Sequence, residues 1–493
     1  MDDTLPATPL MRRIRASVIG DDALLDGPYG RRRVTYLDHT ASGRAIGFIE
    51  DFLREHVLPG YANTHTESSA IGLRTTRLRE EAREIIGEHH SNELPWRESI
   101  ADVVVIREDA DGHIDQGDLK EQLVRHAARP LLIGAFSAAS NVTGIVSDTR
   151  AITGLLHDHG ALACWDFASA APHLEVEAAG KDAVFLSPHK FPGGPGTPGI
   201  LLVDRRLLTN RVPVVTGGGT VCYVNPCDHR YIGDPVHREE AGTPAIVESI
   251  RAGLVFRLRQ AVGTDAIRGR ESGFTRRALA AWTAHPRLSV LGDTTAERLA
   301  TISFVVRGPG SRMLHHNFVV ALLSDLFGIQ ARGGCSCAGP YGHRLLGIGL
   351  DRSRLFERAI MRGHEGLKPG WVPYYLSETA FRFVLGTVEL VASHGWRFLG
   401  DYRFDQGTGG WRHHRADDAG AVSLRFGADG SVGSPPRAAT ASESGLKGYL
   451  DAAGDLLRHY PAKPLPDAHL AAGLEELRWF DLPEICLRPV SSR

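Results

Sequence analysis

Long hydrophobic runs are missing from this chain. No stretch reaches eighteen consecutive apolar residues, so no membrane-spanning helix is expected. Charge of one sign is also missing. A net charge of −2 gives no electrostatic reason to expect nucleic acid or an anionic membrane as partner. Cysteine is sparse, with six in 493 residues, which argues against a disulfide scaffold and fits a reducing cytoplasm. The opening stretch "MDDTLPATPLMRRIRAS" starts acidic and has no apolar core, so it does not read as a secretory signal. A cytoplasmic location is the resulting expectation. Lysine is scarce too: Lys120, Lys181, Lys190, Lys368, Lys447 and Lys463 are the only ones among 56 lysines and arginines. A lysine inside a motif therefore stands out.

What is present is a globular balance of 42% hydrophobic and 23% charged residues, in a chain long enough for two or three domains. "AIGFIEDFLREHV", "LRTTRLREEAREII", "QGDLKEQLVRHA" and "DTRAITGLLHDHG" have helical periodicity. "ADVVVI", "LLIGAFS", "ALACWDFA", "DAVFLS" and "GILLVD" read as buried strands between polar or glycine boundaries. This alternation predicts an α/β fold: a large domain with a mainly parallel sheet flanked by helices, and a smaller α/β domain after it. The expected division is an N-terminal arm (1–35), a large domain (36–283), a small C-terminal domain (284–395) and a C-terminal extension (396–493). Within the large domain, one long helical region is expected from about 245 to 283. In the extension, "WRFLGDYRFDQGTGGWRHH" and "AVSLRFGADGSV" suggest hairpins, "GSPPRAATASESG" reads as a linker, and two helices close the chain.

Chemistry-bearing residues gather where these runs end. Asp166 closes "CWD", and Ser187, His189 and Lys190 follow "VFL" at the head of the glycine-rich "FPGGPGTPG". Asn141 follows "FSAAS". Parallel sheets bind ligands at the carboxyl ends of their strands. A lysine and an aspartate at neighbouring ends suit pyridoxal phosphate (PLP), whose carbonyl needs an amine and whose ring nitrogen needs a carboxylate. Each residue has a plainer alternative: Ser187 and Asn141 could satisfy turn backbone, and Asp166 could cap a strand. "ARGGCSCAGPYG" adds Arg332, Cys335 and Cys337. A zinc site there is disfavoured, because C-x-C departs from the usual spacing and no clear second pair exists. A disulfide between cysteines two apart would be strained.

"EHHSNELPW", "WDFASA", "SPHK" with its glycine loop, "EEAGTP" and "RGGCSC" occur in one order. Over residues 36–395 the chain thereby resembles the class V, fold-type I PLP-dependent aminotransferase family, above all its cysteine desulfurase and selenocysteine lyase group. The resemblance implies that Lys190 is the Schiff-base lysine and Asp166 the partner of the ring nitrogen. It places His89 stacked on the ring, Asn141 at the ring oxygen or substrate, and Ser187 and His189 at the phosphate. It makes Arg332 the substrate-carboxylate clamp and Cys337 the persulfide-forming nucleophile. It further implies a homodimer in which Thr243 reaches the partner's phosphate, a small amino-acid substrate, and a sulfur-acceptor protein. Cys335 receives no role.

The chain departs from that family at two places. A strand, a helix and a phosphate-cradling turn expected between Gly87 and Glu88 are absent. No arginine occurs in "GWVPYYLSE", where a second carboxylate-binding arginine is expected and Pro373 suits a strand poorly. Three readings follow. The first is a cysteine desulfurase-like carbon–sulfur lyase. The second is another class V aminotransferase, epimerase or eliminating lyase with a reshaped pocket. The third is a degenerate, non-catalytic relative.

Overall fold

The computed structural model describes residues 8–64, 68–85, 99–334, 339–371, 378–416, 439–460 and 462–487. His89, Cys335, Cys337, Pro373 and the Gly87–Glu88 junction lie outside them, as do "AVSLRFGADGSV" and the "GSPPRA" that opens "GSPPRAATASESG".

After a short helix, Pro9–Ala16, and a small hairpin of Leu24–Leu25 and Arg32–Arg33, the chain forms a two-residue strand, β1 (Thr35–Tyr36); a short helix, Gly47–Phe52, and then helix α1 (Ala70–Ile85) follow. Helix α2 (Gln116–Arg125) starts at Asp115, whose carboxylate accepts from the Asp118 N–H. Strand β2 (Ile133–Ser137) leads to α3 (Thr149–Asp158), capped in the same way by Asp148 and the Ala151 N–H. Strands β3 (Leu162–Asp166), β4 (Ala183–Leu186) and β5 (Ile200–Val203) complete a sheet of order β2–β3–β4–β5. The first three are parallel and β5 is antiparallel. Trp165 at the sheet centre is fully buried and donates its indole N–H to Thr153 of α3 at 2.9 Å. That bond fixes a helix on one face, as a parallel strand buried on both sides requires.

The expected strand "ADVVVI" does not form. Residues 102–107 carry no strand pairing, and Val103, Val104 and Val105 are 48%, 43% and 62% exposed. A β-run is stable only with a ladder partner and a covered face, and apolar composition supplies neither. The helical region expected over about 245–283 is present and consists of two helices, α4 (Ile246–Val262) and α5 (Thr264–Thr283). Gly263, at φ +83°, breaks them in a conformation that few other residues adopt.

The second region is built on α6 (His316–Phe327), which runs into strand β6 (Ile329–Gln330). Helices α7 (Gly339–Leu345), α8 (Leu350–Ile360) and α9 (Glu378–His394) follow. The chain then forms a hairpin of β7 (Tyr402–Phe404) and β8 (Trp411–His413), and helix α10 (Leu446–Leu457) comes after it. A four-residue helix, Ala472–Glu475, lies near the end.

Two large hydrophobic clusters hold these parts. One lies around the sheet and includes Ile46, Leu156, Trp165, Phe167, Leu186 and Ile250. The other joins α5, α6 and α9 to the C-terminal stretch through Trp282, Phe318, Phe381, Phe398, Trp411 and Phe480. The residues after 395 therefore contribute core, not only surface. A polar knot reinforces this. The Asp401 carboxylate accepts from the hydroxyls of Tyr29 (3.0 Å) and Tyr460, and buried His413 stands 3.7 Å away. Burial pushes that carboxyl up, but the surrounding donors together hold it below its ordinary value.

Candidate active site

Asp166 is the last residue of β3, and β4 runs parallel beside it with Asp166 opposite Phe185. The crossover between these strands contains no helix. Two residues past Leu186 the chain makes a single helical turn, Pro188–Lys190, which places Lys190 at the neighbouring strand end. Glycines lock this turn from both sides. A Cβ on Gly194 would collide with the Pro188 carbonyl, and one on Gly43 would collide with the Phe191 carbonyl. Phe191 is buried and packs on Phe256 with ring centroids 5.0 Å apart.

The electrostatics couple the pair. Burial raises the Asp166 carboxyl, while the Ala168 N–H, bonded at 2.7 Å, and the Lys190 ammonium pull it back. His189 is shifted down, first by burial and then by Lys190. Ser187 is 4% exposed. Asn141 is half-buried in the turn after β2, where Ala139 and Val146 pair across the loop.

Arg332 arrives on β6, which pairs parallel with β1 in the register Gln330 opposite Tyr36. Two residues on, Arg332 stands opposite Asp38, with Nε 3.4 Å from Oδ1. The Asp38 turn is clipped to the lysine loop: Gly43 N–H donates to the His189 carbonyl at 2.7 Å, and Gly193 N–H to the Arg44 carbonyl at 2.7 Å. Sequence reasoning missed Asp38 and its neighbour His39, whose imidazole burial lowers to about 4. Their signal is the same as elsewhere in the chain, polar residues just past a strand in "VTYLDHT". That strand is only two residues long and pairs across almost three hundred positions.

The described residues that flank Cys335 and Cys337 in sequence make contacts of their own. Gly334 pairs with Trp371, and Tyr341 of α7 lies 3.3 Å from the Thr143 hydroxyl. Thr243 is not drawn to the strand ends in the same way. It sits on an exposed turn and accepts from Asn63 at 3.4 Å. Buried Cys164 and Cys486 are raised to about 11 and 12, mainly by burial, so neither suits a nucleophile.

The donor set fits PLP: an amine, a mostly buried carboxylate coupled to it, and a buried hydroxyl beside a glycine loop. An α/β sheet with these groups at adjacent strand ends is the arrangement of a PLP-dependent enzyme class. A family model described as Aminotransferase class-V matches residues 85–350, over half of the chain, and the chain belongs to that family. A probable cysteine desulfurase of Halobacterium salinarum is 32% identical over 267 residues, covering 53% of this chain and 61% of the relative. One from Staphylococcus aureus is 27% identical over 373 residues, covering 66% of this chain and 87% of the relative. The chain spans only 61% and 59% of the length of the Halobacterium relative and a Streptomyces coelicolor one. The apo cysteine desulfurase of Thermococcus onnurineus superposes with a TM-score of 0.60 at 22% identity, covering 73% of this chain and 95% of that one. The Escherichia coli cysteine desulfurase CsdA, as its S-sulfonic acid form, gives 0.55 at 22%, with 73% and 94% covered. At these identities the structural likeness is one of fold. Among the described residues no helix is long and apolar enough to cross a membrane.

Proposed function

We propose that this chain is a PLP-dependent carbon–sulfur lyase of the cysteine desulfurase kind. The observation that carries the reading is Lys190 and Asp166 at adjacent parallel strand ends, with Arg332 delivered beside the same loop. The curated relatives named as probable cysteine desulfurases support the choice of reaction.

Bound PLP supplies an electron sink for the bonds at the substrate's α-carbon. The protein's own residues do the rest. Lys190 holds the cofactor through its amine and then moves protons at the substrate carbon. Asp166 keeps a proton on the ring nitrogen, and Ser187, His189 and Asn141 orient the group. His89 covers it. Arg332 grips the substrate carboxylate. The Cys337 thiolate attacks the sulfur of cysteine. The carbon–sulfur bond breaks, that carbon gains a proton, and the products are alanine and a Cys337 persulfide for an acceptor protein. A homodimer with Thr243 reaching the partner's site completes the proposal.

The test is turnover of L-cysteine. Cys337→Ala should abolish sulfur release while the cofactor stays bound. Unchanged release would remove Cys337 from the mechanism. Keto-acid formation without sulfur release would favour another class V reaction.

A further inference from the structure

We propose that Asp38 is a positioning residue for Arg332, holding the guanidinium so that its end-on edge meets the substrate carboxylate. This rests on the functional reading above.

The geometry is specific. Arginine offers two edges for a paired grip on a carboxylate, Nε with one Nη, or both Nη atoms. Asp38 Oδ1 faces Nε at 3.4 Å, an ion-pair distance, and among the described residues neither of these buried atoms has a hydrogen-bond partner. The Nε edge thereby faces the protein's own carboxylate as an ion pair. The Nη1–Nη2 edge is left for a ligand, on a side chain that is 35% exposed.

Asp38 is itself held in place. Its carbonyl accepts from Ala41 N–H (3.0 Å), Ser42 N–H (3.1 Å) and the Tyr36 hydroxyl (3.2 Å). Tyr36 also bonds the Ser42 carbonyl at 3.1 Å and carries Arg44 over its ring at 5.0 Å. Because this turn is clipped to the His189 and Gly193 backbone, Asp38 ties the direction of Arg332 to the loop that carries Lys190. A second effect follows from charge. Paired with Asp38, the partly buried guanidinium is not an isolated charge while the site waits for substrate. A chain without the second arginine in "GWVPYYLSE" depends more on one well-aimed arginine.

The test is a double-mutant cycle on the cofactor-loaded full chain, with L-cysteine as substrate and L-alanine binding followed by calorimetry. Asp38→Ala should raise KM and the L-alanine dissociation constant about tenfold, the weight of one charge-assisted contact, with kcat within about twofold. Asp38→Asn keeps the shape and an acceptor oxygen, and should give a smaller rise. It also provides the measurement if the alanine variant does not fold. In an Arg332→Ala background, Asp38→Ala should change neither constant further, because its only route to the substrate is gone. An unchanged KM in Asp38→Ala would overturn the proposal. So would an equal rise with and without Arg332, which is the mark of a purely structural role. A wild type that turns over no amino acid overturns the functional reading and this inference with it. A wild type that turns over normally with an additive cycle overturns this inference alone.

Discussion

At the scale of single residues, the placement of Asp166 and Lys190 at neighbouring strand ends is legible in the sequence, because Asp166 closes one short apolar run and Lys190 lies just past the next. Asp38 carries the same mark, but its meaning comes from a strand pairing across the chain that periodicity cannot reveal. Gly194 gives a residue-scale prediction. Its missing side chain lets the loop fold back on the Pro188 carbonyl, so Gly194→Ala must move the backbone that sets Lys190. The variant should lose about 1–3 kcal/mol of stability, read by denaturant unfolding, and lose bound PLP with it. Wild-type stability and full cofactor retention would show that the loop does not fix the lysine.

At the scale of elements, β2 to β5 and their helices follow from alternating apolar runs and capping residues, and these four strands form where the pattern predicts them. The "ADVVVI" run fails because strand formation depends on a partner, and a partner is a non-local property. Exposed Val105 should accept replacement by lysine with a stability change within about 0.5 kcal/mol. Phe480 should not. It is fully buried and packs edge-on to His315 (4.7 Å) and Phe404 (5.2 Å). Phe480→Ala should cost about 3–5 kcal/mol in equilibrium unfolding. The same reasoning explains why the C-terminal stretch was hard to place from sequence. Its aromatic residues carry no period, and only the fold shows that they fill a shared core.

At the scale of the molecule, Asp401 ties the N-terminal arm to the C-terminal stretch through Tyr29 and Tyr460. Its carboxyl is held below the ordinary value, so its contribution is fully present above the unfolded pKa of about 4 and is lost as pH falls through the lower folded value. Asp401→Asn should lower Tm at pH 7, and the gap to wild type should narrow below about pH 4. A gap that stays constant with pH would mean that the charge does not matter. The most direct measurement for the whole account is the visible absorption spectrum of the purified chain after incubation with PLP. The account predicts a cofactor band in the wild type that is absent in Lys190→Ala. A wild type that stays colourless, or a band that survives the loss of Lys190, would contradict it.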